Sequence, residues 1–184
     1  MTLHTARLIL APVHWSDAAD IHALNSLPES DRYNTLGIPD NLAVTESLVQ
    51  EWLDMQTRQP LEYYVWSIKL ADTGAFVGNI ALRLGKQRYR MGEVWYKIHV
   101  NHWDKGYATE ALETVLQMAF EQLRLHRVEA GCAVENRASS AVLQKVGMVR
   151  EGGKRKALPI RGEWVDNDEF AILEDEYFER KMNK

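Results

Sequence analysis

The segment between residues 92 and 134 contains the pattern that most restricts how this chain folds. Residues 92–100 are rich in β-branched and aromatic side chains and predict a strand. Residues 107–123 predict a long amphipathic helix, because apolar side chains recur on one face at Leu112, Val115, Leu116, Ala119, Phe120 and Leu123. Residues 127–134 predict a second strand, in which apolar residues alternate with other types. A helix that joins two strands in this way carries the chain back along the sheet, so the two strands are expected to be parallel neighbours.

The rest of the chain predicts strands and helices in the order β α α β β β α β α β β, counting the segment above. The predicted strands are residues 7–13, 62–71, 75–84, 92–100, 127–134, 148–158 and 163–173, and the last two flank a turn at Pro159–Gly162. The predicted helices begin near Ser16 and Thr45 and cover 107–123 and 137–146, with a loop at 28–43 and a ragged terminal helix at 174–184. The sequence thus predicts an α/β (α+β) fold, a single domain over residues 1–184. Its central sheet is mixed and mostly antiparallel, with about seven strands flanked by about four helices.

The amino-acid composition excludes several classes of protein for this chain. The chain has 184 residues, 46% hydrophobic and 26% charged, which are values of a globular domain and not of a disordered chain. Its 22 Lys and Arg against 26 Asp and Glu give a net charge of −4, which offers no attraction for DNA or an anionic membrane. No apolar stretch approaches the ~20 residues of a membrane span, and the single cysteine, Cys132, forms no intrachain disulfide. We therefore expect a cytoplasmic protein without a DNA or membrane partner.

The junction between the strand at 92–100 and the helix at 107–123 is the most informative place for function. A strand ends, a loop that contains Gly106 turns, and a helix starts with the small residue Ala108 in its first turn. Helix N-termini present unpaired N–H groups and the positive end of the helix dipole, so this arrangement suits a phosphate group. A plain strand–helix turn, in which glycine only supplies an unusual dihedral angle, explains the same residues. The sequence contains neither G-x-x-x-x-G-K-[ST] nor G-x-G-x-x-G, which argues against nucleoside triphosphatases and dinucleotide enzymes.

Four stretches of the chain, in the same order, resemble motifs of one protein family. The string Trp-Asp-Lys-Gly-Tyr-Ala-Thr-Glu-Ala at 103–111 resembles the acetyl-CoA pyrophosphate loop of the GNAT N-acetyltransferases. It is most similar to the branch that contains the ribosomal-protein N-terminal (alanine/serine) acetyltransferases. Residues 5–10, 135–148 and 161–166 resemble the opening strand, the Glu-Asn-x-x-Ser…Lys-x-Gly-Phe motif and the Asn-Gly-x-Trp-x-Asp hairpin of that branch. The resemblance implies a GNAT-like fold with a central βαβ unit that binds acetyl-CoA.

The resemblance also implies roles for individual residues. Backbone groups of Ile98 and Val100 would pair with the pantetheine arm of acetyl-CoA, much as an added strand does. Asn136 would hydrogen-bond the pantetheine, and Ser139 would lie near the sulfur. The pyrophosphate would be held by the backbone amides of Lys105, Gly106, Tyr107, Ala108 and Thr109. For Asn136 the alternative is a helix cap, since Ser139 follows it at the third helical position, and the two roles are compatible.

Two residues depart from the family pattern. Asp104 stands where the branch commonly has Gly, and an acidic side chain beside a diphosphate weakens binding unless it points away. Leu143 occupies the position at which many family members carry a Tyr, the general acid for the departing thiolate. The resemblance assigns that role to Ser139 instead. Glu93, near the start of the strand at 92–100, is the candidate general base, and the alternative is a solvated strand residue without a catalytic role.

The implied reaction is direct transfer of the acetyl group from acetyl-CoA to a primary amine in a ternary complex. A free α-amine, with a pKa of ~7.7–8.0, is about one-tenth neutral at pH 7, whereas a lysine amine, with a pKa of ~10.4, needs far more help. The expected acceptor is therefore a peptide or protein N-terminus, or a small-molecule amine of similar acidity. The alternative function is a non-catalytic GNAT-like module that binds acyl-CoA or a peptide, because no clear base is evident. Homodimers are common in the family, so a homodimer is a further expectation.

No metal cofactor is expected. His99 and His102 are separated by two residues at the end of a strand, so they are expected to point to opposite faces of the sheet. No third ligand is spaced to join them. Cys132 alternates with apolar residues and is expected to be a core residue.

Overall fold

The computed structural model describes residues 1–183 as one eight-stranded sheet with helices packed on both faces. The strands are β1 (Leu3–His4), β2 (Leu8–Pro12), β3 (Tyr63–Leu70), β4 (Phe76–Leu84), β5 (Met91–Ile98), β6 (Arg127–Ala133), β7 (Val149–Ile160) and β8 (Glu163–Leu173). The helices are α1 (Ala18–Asn25), α2 (Pro28–Asp31), α3 (Leu42–Thr57), α4 (Tyr107–Gln117), α5 (Arg137–Lys145) and α6 (Glu174–Met182), and a π-helical turn at Met118–Gln122 extends α4. The strand order is β1-β2-β3-β4-β5-β6-β8-β7. Only β5 and β6 are parallel within the described residues; the other neighbouring strands are antiparallel.

The predicted fold class and the βαβ unit are confirmed, but residues 1–183 form eight strands instead of about seven and six α-helices instead of about four. The additional strand, β1, has two residues and carries no sequence signal of its own. One additional helix, α2, begins at Pro28 inside the segment predicted as a loop. The fixed φ of proline suits the first turn of a helix, so Pro28 starts a turn of helix here. The other, α6, is the regular form of the ragged terminal helix.

The prediction of a four-residue turn at Pro159–Gly162 in the terminal hairpin is wrong. β7 continues through Ile160, and the turn consists of Arg161 and Gly162 alone. Both residues have positive φ values, 53° for Arg161 and 80° for Gly162, as a two-residue hairpin turn of type I′ requires. Arg161 therefore occupies the tip of the β7–β8 hairpin.

Two hydrophobic clusters hold the helices on opposite faces of the sheet. The larger packs α4 and α5 on one face and buries Leu112, Val115 and Leu116, whose spacing predicts that helix. The smaller packs α1 and α3 on the other face. Successive side chains of β5 point to opposite faces of the sheet, so Val94 lies in the first cluster and Trp95 packs against the second. Within residues 1–183, no helix is both long enough and apolar enough to cross a membrane.

β5 and β6 separate soon after they meet, and this separation positions the candidate site. The two strands pair only at Met91–Arg127, Gly92–Val128 and Glu93–Glu129. Beyond these pairs, β5 stays bonded to β4 through Ile98, and β6 stays bonded to β8 through Ala133. We call the space between residues 94–98 and residues 130–133 the divergence cleft. Its mouth lies at the loop that leads from β5 into α4.

Candidate active site

The loop of residues 99–106 brings the start of α4 to the mouth of the divergence cleft. Gly106 has a φ of 78° and forms the N-cap of α4, and no side chain caps this helix end. The first intrahelical backbone bond runs from the Glu110 N–H to the Gly106 carbonyl at 3.0 Å, so the N–H groups of residues 107–109 precede it. An uncapped helix start beside an exposed loop suits a diphosphate. Asp104 is also left-handed, with a φ of 57°, a conformation that glycine adopts at no steric cost.

Ile98 and Val100, the predicted partners of pantetheine, already hold the loop through their carbonyls. The indole Nε1 of Trp103 donates to the Ile98 carbonyl at 2.8 Å, and the Trp103 backbone N–H donates to the Val100 carbonyl at 3.2 Å. Val100 lies in a 3₁₀ turn beyond β5, so its prediction as a strand residue is wrong. The His99 N–H bonds to Val77 in β4 at 2.8 Å, and alternation therefore directs the Ile98 N–H toward the divergence cleft. Of these groups, the Ile98 N–H is the one placed to meet a ligand.

The start of α5 lies beside the same cleft. Asn136 is the N-cap of α5, and its Oδ1 accepts the Ser139 N–H at 3.2 Å, so the capping interpretation is confirmed. The cap uses only the oxygen of the Asn136 amide. The Ser139 hydroxyl lies 2.9 Å from the Tyr96 hydroxyl, which also donates to the Ser139 carbonyl at 3.2 Å. Because Tyr96 belongs to β5, this contact connects β5 to the helix that follows β6.

The Cys132 thiol of β6 lies near the Ser139 hydroxyl, so this hydroxyl has a phenol and a thiol as neighbours. Burial raises the pKa of Tyr96 well above its usual value, and it raises the pKa of Cys132 to about 11. Both groups are therefore protonated at neutral pH. Leu143, at the position where a tyrosine acid is common, is 1% exposed in the core. Sequence reasoning missed Tyr96, because an aromatic residue at an alternating strand position is typical of a core.

Glu93, the predicted general base, forms an ion pair with Arg83 on β4, and its side chain is 48% exposed. Glu93 belongs to the last β5–β6 pair, at the narrow end of the divergence cleft. Its side chain lies on the same face of β5 as Trp95, whereas Tyr96 points to the opposite face. The structure therefore does not bring Glu93 into contact with Ser139, and the role of Glu93 stays a prediction.

Known proteins resemble this chain along most of its length. The family model described as an acetyltransferase (GNAT) domain matches residues 7–149. The chain belongs to the GNAT acetyltransferase family. "Uncharacterized N-acetyltransferase YnaD" of Bacillus subtilis is 30% identical over 179 residues, which are 96% of this chain and 99% of YnaD. "Putative ribosomal N-acetyltransferase YdaF" of Bacillus subtilis is 30% identical over 132 residues, 72% of this chain and 70% of YdaF. The crystal structure of a GNAT-family acetyltransferase from Bacillus anthracis, 27% identical, matches with a TM-score of 0.82 over 95% of this chain and 99% of that one.

These matches confirm the predicted family and identify the chain as an acetyl-CoA-dependent N-acetyltransferase. Two features of the structure fit a bound CoA. The α4 N-terminus presents first-turn N–H groups without a side-chain cap, as an anionic pyrophosphate needs. The divergence cleft offers an open strand edge for an extended arm.

On the other face of the GNAT sheet, a partly buried lysine lies near the cleft. The Nζ of Lys97 donates to Asn25 Oδ1 at 2.7 Å, and burial lowers the pKa of Lys97 to about 8, against the attraction of Asp31. Arg161 at the hairpin tip donates to the Asp31 carboxylate at 2.8 Å and to the Pro28 carbonyl at 2.9 Å. The tip of the β7–β8 hairpin therefore contacts α2 on this side of the cleft. Sequence reasoning missed Lys97, because a lysine in a strand is usually solvated.

The predicted orientation of the two histidines is wrong. His99 follows β5 and His102 lies in a 3₁₀ turn, and their ring centroids are 6.2 Å apart. The turn changes the direction of the backbone, so the alternation of a strand does not apply. In the part of the chain that the structure describes, no three His, Cys, Asp or Glu side chains are arranged to hold a metal ion.

Replacing Lys97 by Met should change how the stability of the enzyme depends on pH. The pKa of Lys97 is about 8 in the folded state against 10.5 for an unperturbed lysine, so its protonation opposes folding below pH 8. This penalty disappears between pH 8 and pH 10.5, where the folded state has lost the proton and the unfolded state still binds it. The free energy of unfolding of the wild type should therefore rise relative to Lys97→Met across this range, by on the order of 2 kcal/mol.

Urea denaturation of both proteins at several pH values from 7 to 10 measures this difference. Lys86→Met, at an exposed lysine, is the control and should show a difference that is nearly constant with pH. A constant difference for Lys97→Met as well would contradict the assignment of a partly buried, destabilised ammonium group.

Proposed function

We propose that the chain acts as a single domain over residues 1–184 that transfers the acetyl group of acetyl-CoA directly to a primary amine in a ternary complex. The observation that carries the proposal is the uncapped start of α4 at the mouth of the divergence cleft. In this proposal the backbone amides of Lys105 through Thr109 bind the pyrophosphate. The Ile98 N–H and the amide nitrogen of Asn136 bind the pantetheine arm. The proposed compartment is the cytoplasm, which suits a chain whose one cysteine is a buried thiol.

The proposed acceptor is the α-amine of a peptide or protein. This amine is about one-tenth neutral at pH 7 and needs no strong base to attack a thioester. The site supports such an acceptor because the carboxylate predicted as base, Glu93, is already paired with Arg83. The name of YdaF, a relative that covers 72% of this chain, refers to ribosomal N-acetylation and is consistent with a protein acceptor.

Ser139 is the proposed proton donor for the sulfur that leaves. As the bond between nitrogen and the acetyl carbon forms and the carbon–sulfur bond breaks, the Ser139 hydroxyl gives its proton to sulfur. Tyr96, 2.9 Å away, passes its proton to Ser139, the amine releases its own proton to solvent, and a proton from solvent restores Tyr96. The thiol of CoA is a good leaving group, with a pKa near the ~8.5 of cysteine, so a weak hydroxyl donor is sufficient.

A thiol-release assay with acetyl-CoA and a panel of amines tests the function. The panel contains peptides with a free N-terminal Ala or Ser, the same peptides N-acetylated with an internal Lys, spermidine and an aminoglycoside. We expect the free-N-terminal peptides to give the largest kcat/KM at pH 7, and their advantage over the lysine amine to shrink toward pH 9, as more lysine becomes neutral. Turnover of spermidine without turnover of peptides would overturn the acceptor class. Thiol release with none of the amines would instead favour the non-catalytic module.

Gly106→Glu should abolish CoA binding while the protein stays folded. The substitution adds bulk and a negative charge at the helix start assigned to the diphosphate. Isothermal titration with CoA measures the loss, and Gly106→Gln, which adds the same bulk without the charge, should bind CoA more tightly than Gly106→Glu does. Gly74→Glu is the control for backbone strain, because Gly74 has a similar φ of 72° in a distant turn with no atoms within 4 Å of an added Cβ. Normal CoA affinity of Gly106→Glu would refute the assignment of the loop.

Ser139→Ala should lower kcat by roughly 10- to 100-fold and leave the KM for acetyl-CoA nearly unchanged, because the hydroxyl acts on the leaving sulfur. Tyr96→Phe should lower kcat less, and the double variant should be no slower than Ser139→Ala, since the two hydroxyls form one chain. Steady-state kinetics measure these values, with Ser140→Ala on the next residue as the control. Unchanged turnover of Ser139→Ala would remove Ser139 as the proton donor.

A further inference from the structure

Side chains of the N-terminal segment form hydrogen bonds and an ion pair with the start of α4. Both side-chain groups of this contact come from distant parts of the chain: Arg7 precedes β2, and Glu110 lies in the first turn of α4. The Arg7 Nε and Nη2 atoms lie 2.7 Å and 2.6 Å from Glu110 Oε2. The other oxygen, Glu110 Oε1, accepts the Thr5 hydroxyl at 2.5 Å and the Arg7 backbone N–H at 3.0 Å. We call Thr5, Arg7 and Glu110 the N-terminal clasp.

The same guanidinium also contacts the loop that leads into α4. Its Nη1 donates to the Lys105 carbonyl at 3.0 Å, and the group lies over the Tyr107 ring, 4.7 Å from the centroid. A Cβ added to Gly106 would lie 3.4 Å from Arg7 Nη2, so the guanidinium packs against that glycine. Arg7 therefore touches three consecutive residues, 105–107, and a carboxylate one turn further along the helix.

We propose that Arg7 is a positioning residue for CoA: the N-terminal clasp holds the loop at 105–107 and the first turn of α4 in the conformation that binds the pyrophosphate. The inference rests on the proposed placement of the pyrophosphate at residues 105–109. Two other side-chain bonds of the loop are local: Trp103 bonds to Ile98, and Lys105 bonds to Asn101. They shape the loop but tie it only to its own segment, whereas Arg7 ties it to the β2 end of the sheet.

The clasp also neutralises a carboxylate beside the anion site. Burial opposes the ionisation of Glu110, but the hydrogen bonds from Thr5 and Arg7 outweigh burial and lower the pKa of Glu110. Glu110 is therefore charged at neutral pH, within one helical turn of the amides assigned to the pyrophosphate. With Arg7 in place the pair carries no net charge, and without Arg7 the carboxylate is left to repel the phosphates.

A double-mutant cycle on CoA affinity tests the clasp. We expect Arg7→Ala and Glu110→Gln each to weaken the Kd for CoA by about 5- to 20-fold, and the double variant to bind no more weakly than the weaker single variant. Isothermal titration measures the four Kd values. At saturating acetyl-CoA the kcat of each variant should stay within about twofold of the wild type, because the clasp acts on cofactor binding and not on chemistry.

Two further variants separate this role from plain stabilisation. Arg90→Ala is the matched control, because Arg90 is 49% exposed and donates to Glu174 at 2.7 Å and to the Arg124 carbonyl at 2.7 Å, both outside the α4 loop. It should lower the melting temperature without changing the Kd for CoA. Thr5→Val removes one donor to Glu110 without leaving a charge unpaired, and it should weaken CoA binding mildly even if Arg7→Ala does not fold.

The outcomes distinguish this inference from the proposed function. Loss of CoA binding in Gly106→Glu together with an unchanged Kd in Arg7→Ala would overturn the clasp alone. Normal CoA binding in Gly106→Glu would overturn the pyrophosphate placement itself. If Glu110→Gln tightened CoA binding and Arg7→Ala weakened it equally in both backgrounds, Arg7 would be a direct phosphate ligand, and the positioning role would be refuted.

Discussion

The constraint on which the rest of the structure depends is the early end of pairing between β5 and β6. After Glu93 and Glu129 the two strands keep only their outer partners, so each presents an edge of backbone donors and acceptors to the cleft. Buried backbone groups without partners are costly, and an extended ligand that supplies them is stabilised as an added strand is. The helix starts on both sides of the cleft follow from the same geometry. α4 begins where β5 ends, and α5 begins where β6 ends.

Alternation along β5 divides the cleft into two chemically different sides. Tyr96 points toward α5, where its hydroxyl meets Ser139. Lys97, the next residue, points to the opposite face and meets Asn25 of α1. One strand thereby places a protonated hydroxyl pair on one side of the sheet and a partly buried amine on the other. In the proposed reaction the first side receives the departing sulfur, and the Arg161 hairpin tip contacts α2 on the second side.

Local signals in the sequence predicted the parts of the site that depend on neighbouring residues. The α4 helix, its glycine N-cap and the Asn136 cap follow from patterns a few residues long, and each is present in the structure. The contacts that complete the site join residues far apart in the chain: Tyr96 and Ser139 are 43 apart, Arg7 and Glu110 are 103 apart, and Arg161 and Asp31 are 130 apart. No periodicity or turn signal connects such residues, because their meeting depends on the order of strands in the sheet. The error at His99 and His102 has a local cause, a 3₁₀ turn that replaces the expected end of the strand.

Three carboxylates around the candidate active site are each paired with an arginine. Glu93 is bound to Arg83, Glu110 to Arg7 and Asp31 to Arg161, so the charge at each of these positions is balanced by a guanidinium. A guanidinium keeps its proton at any physiological pH, so these pairs hold their carboxylates as anions and in place. Pairing with a cation stabilises a carboxylate as an anion and makes it a weaker base. In the proposed reaction, a site built in this way does little to deprotonate an amine of high pKa, so the rate depends on the fraction of the acceptor that is already neutral. A larger fraction of an α-amine than of a lysine amine is neutral at pH 7, because the pKa of the α-amine is lower. This difference favours an α-amine even before the acceptor makes any contact with the enzyme.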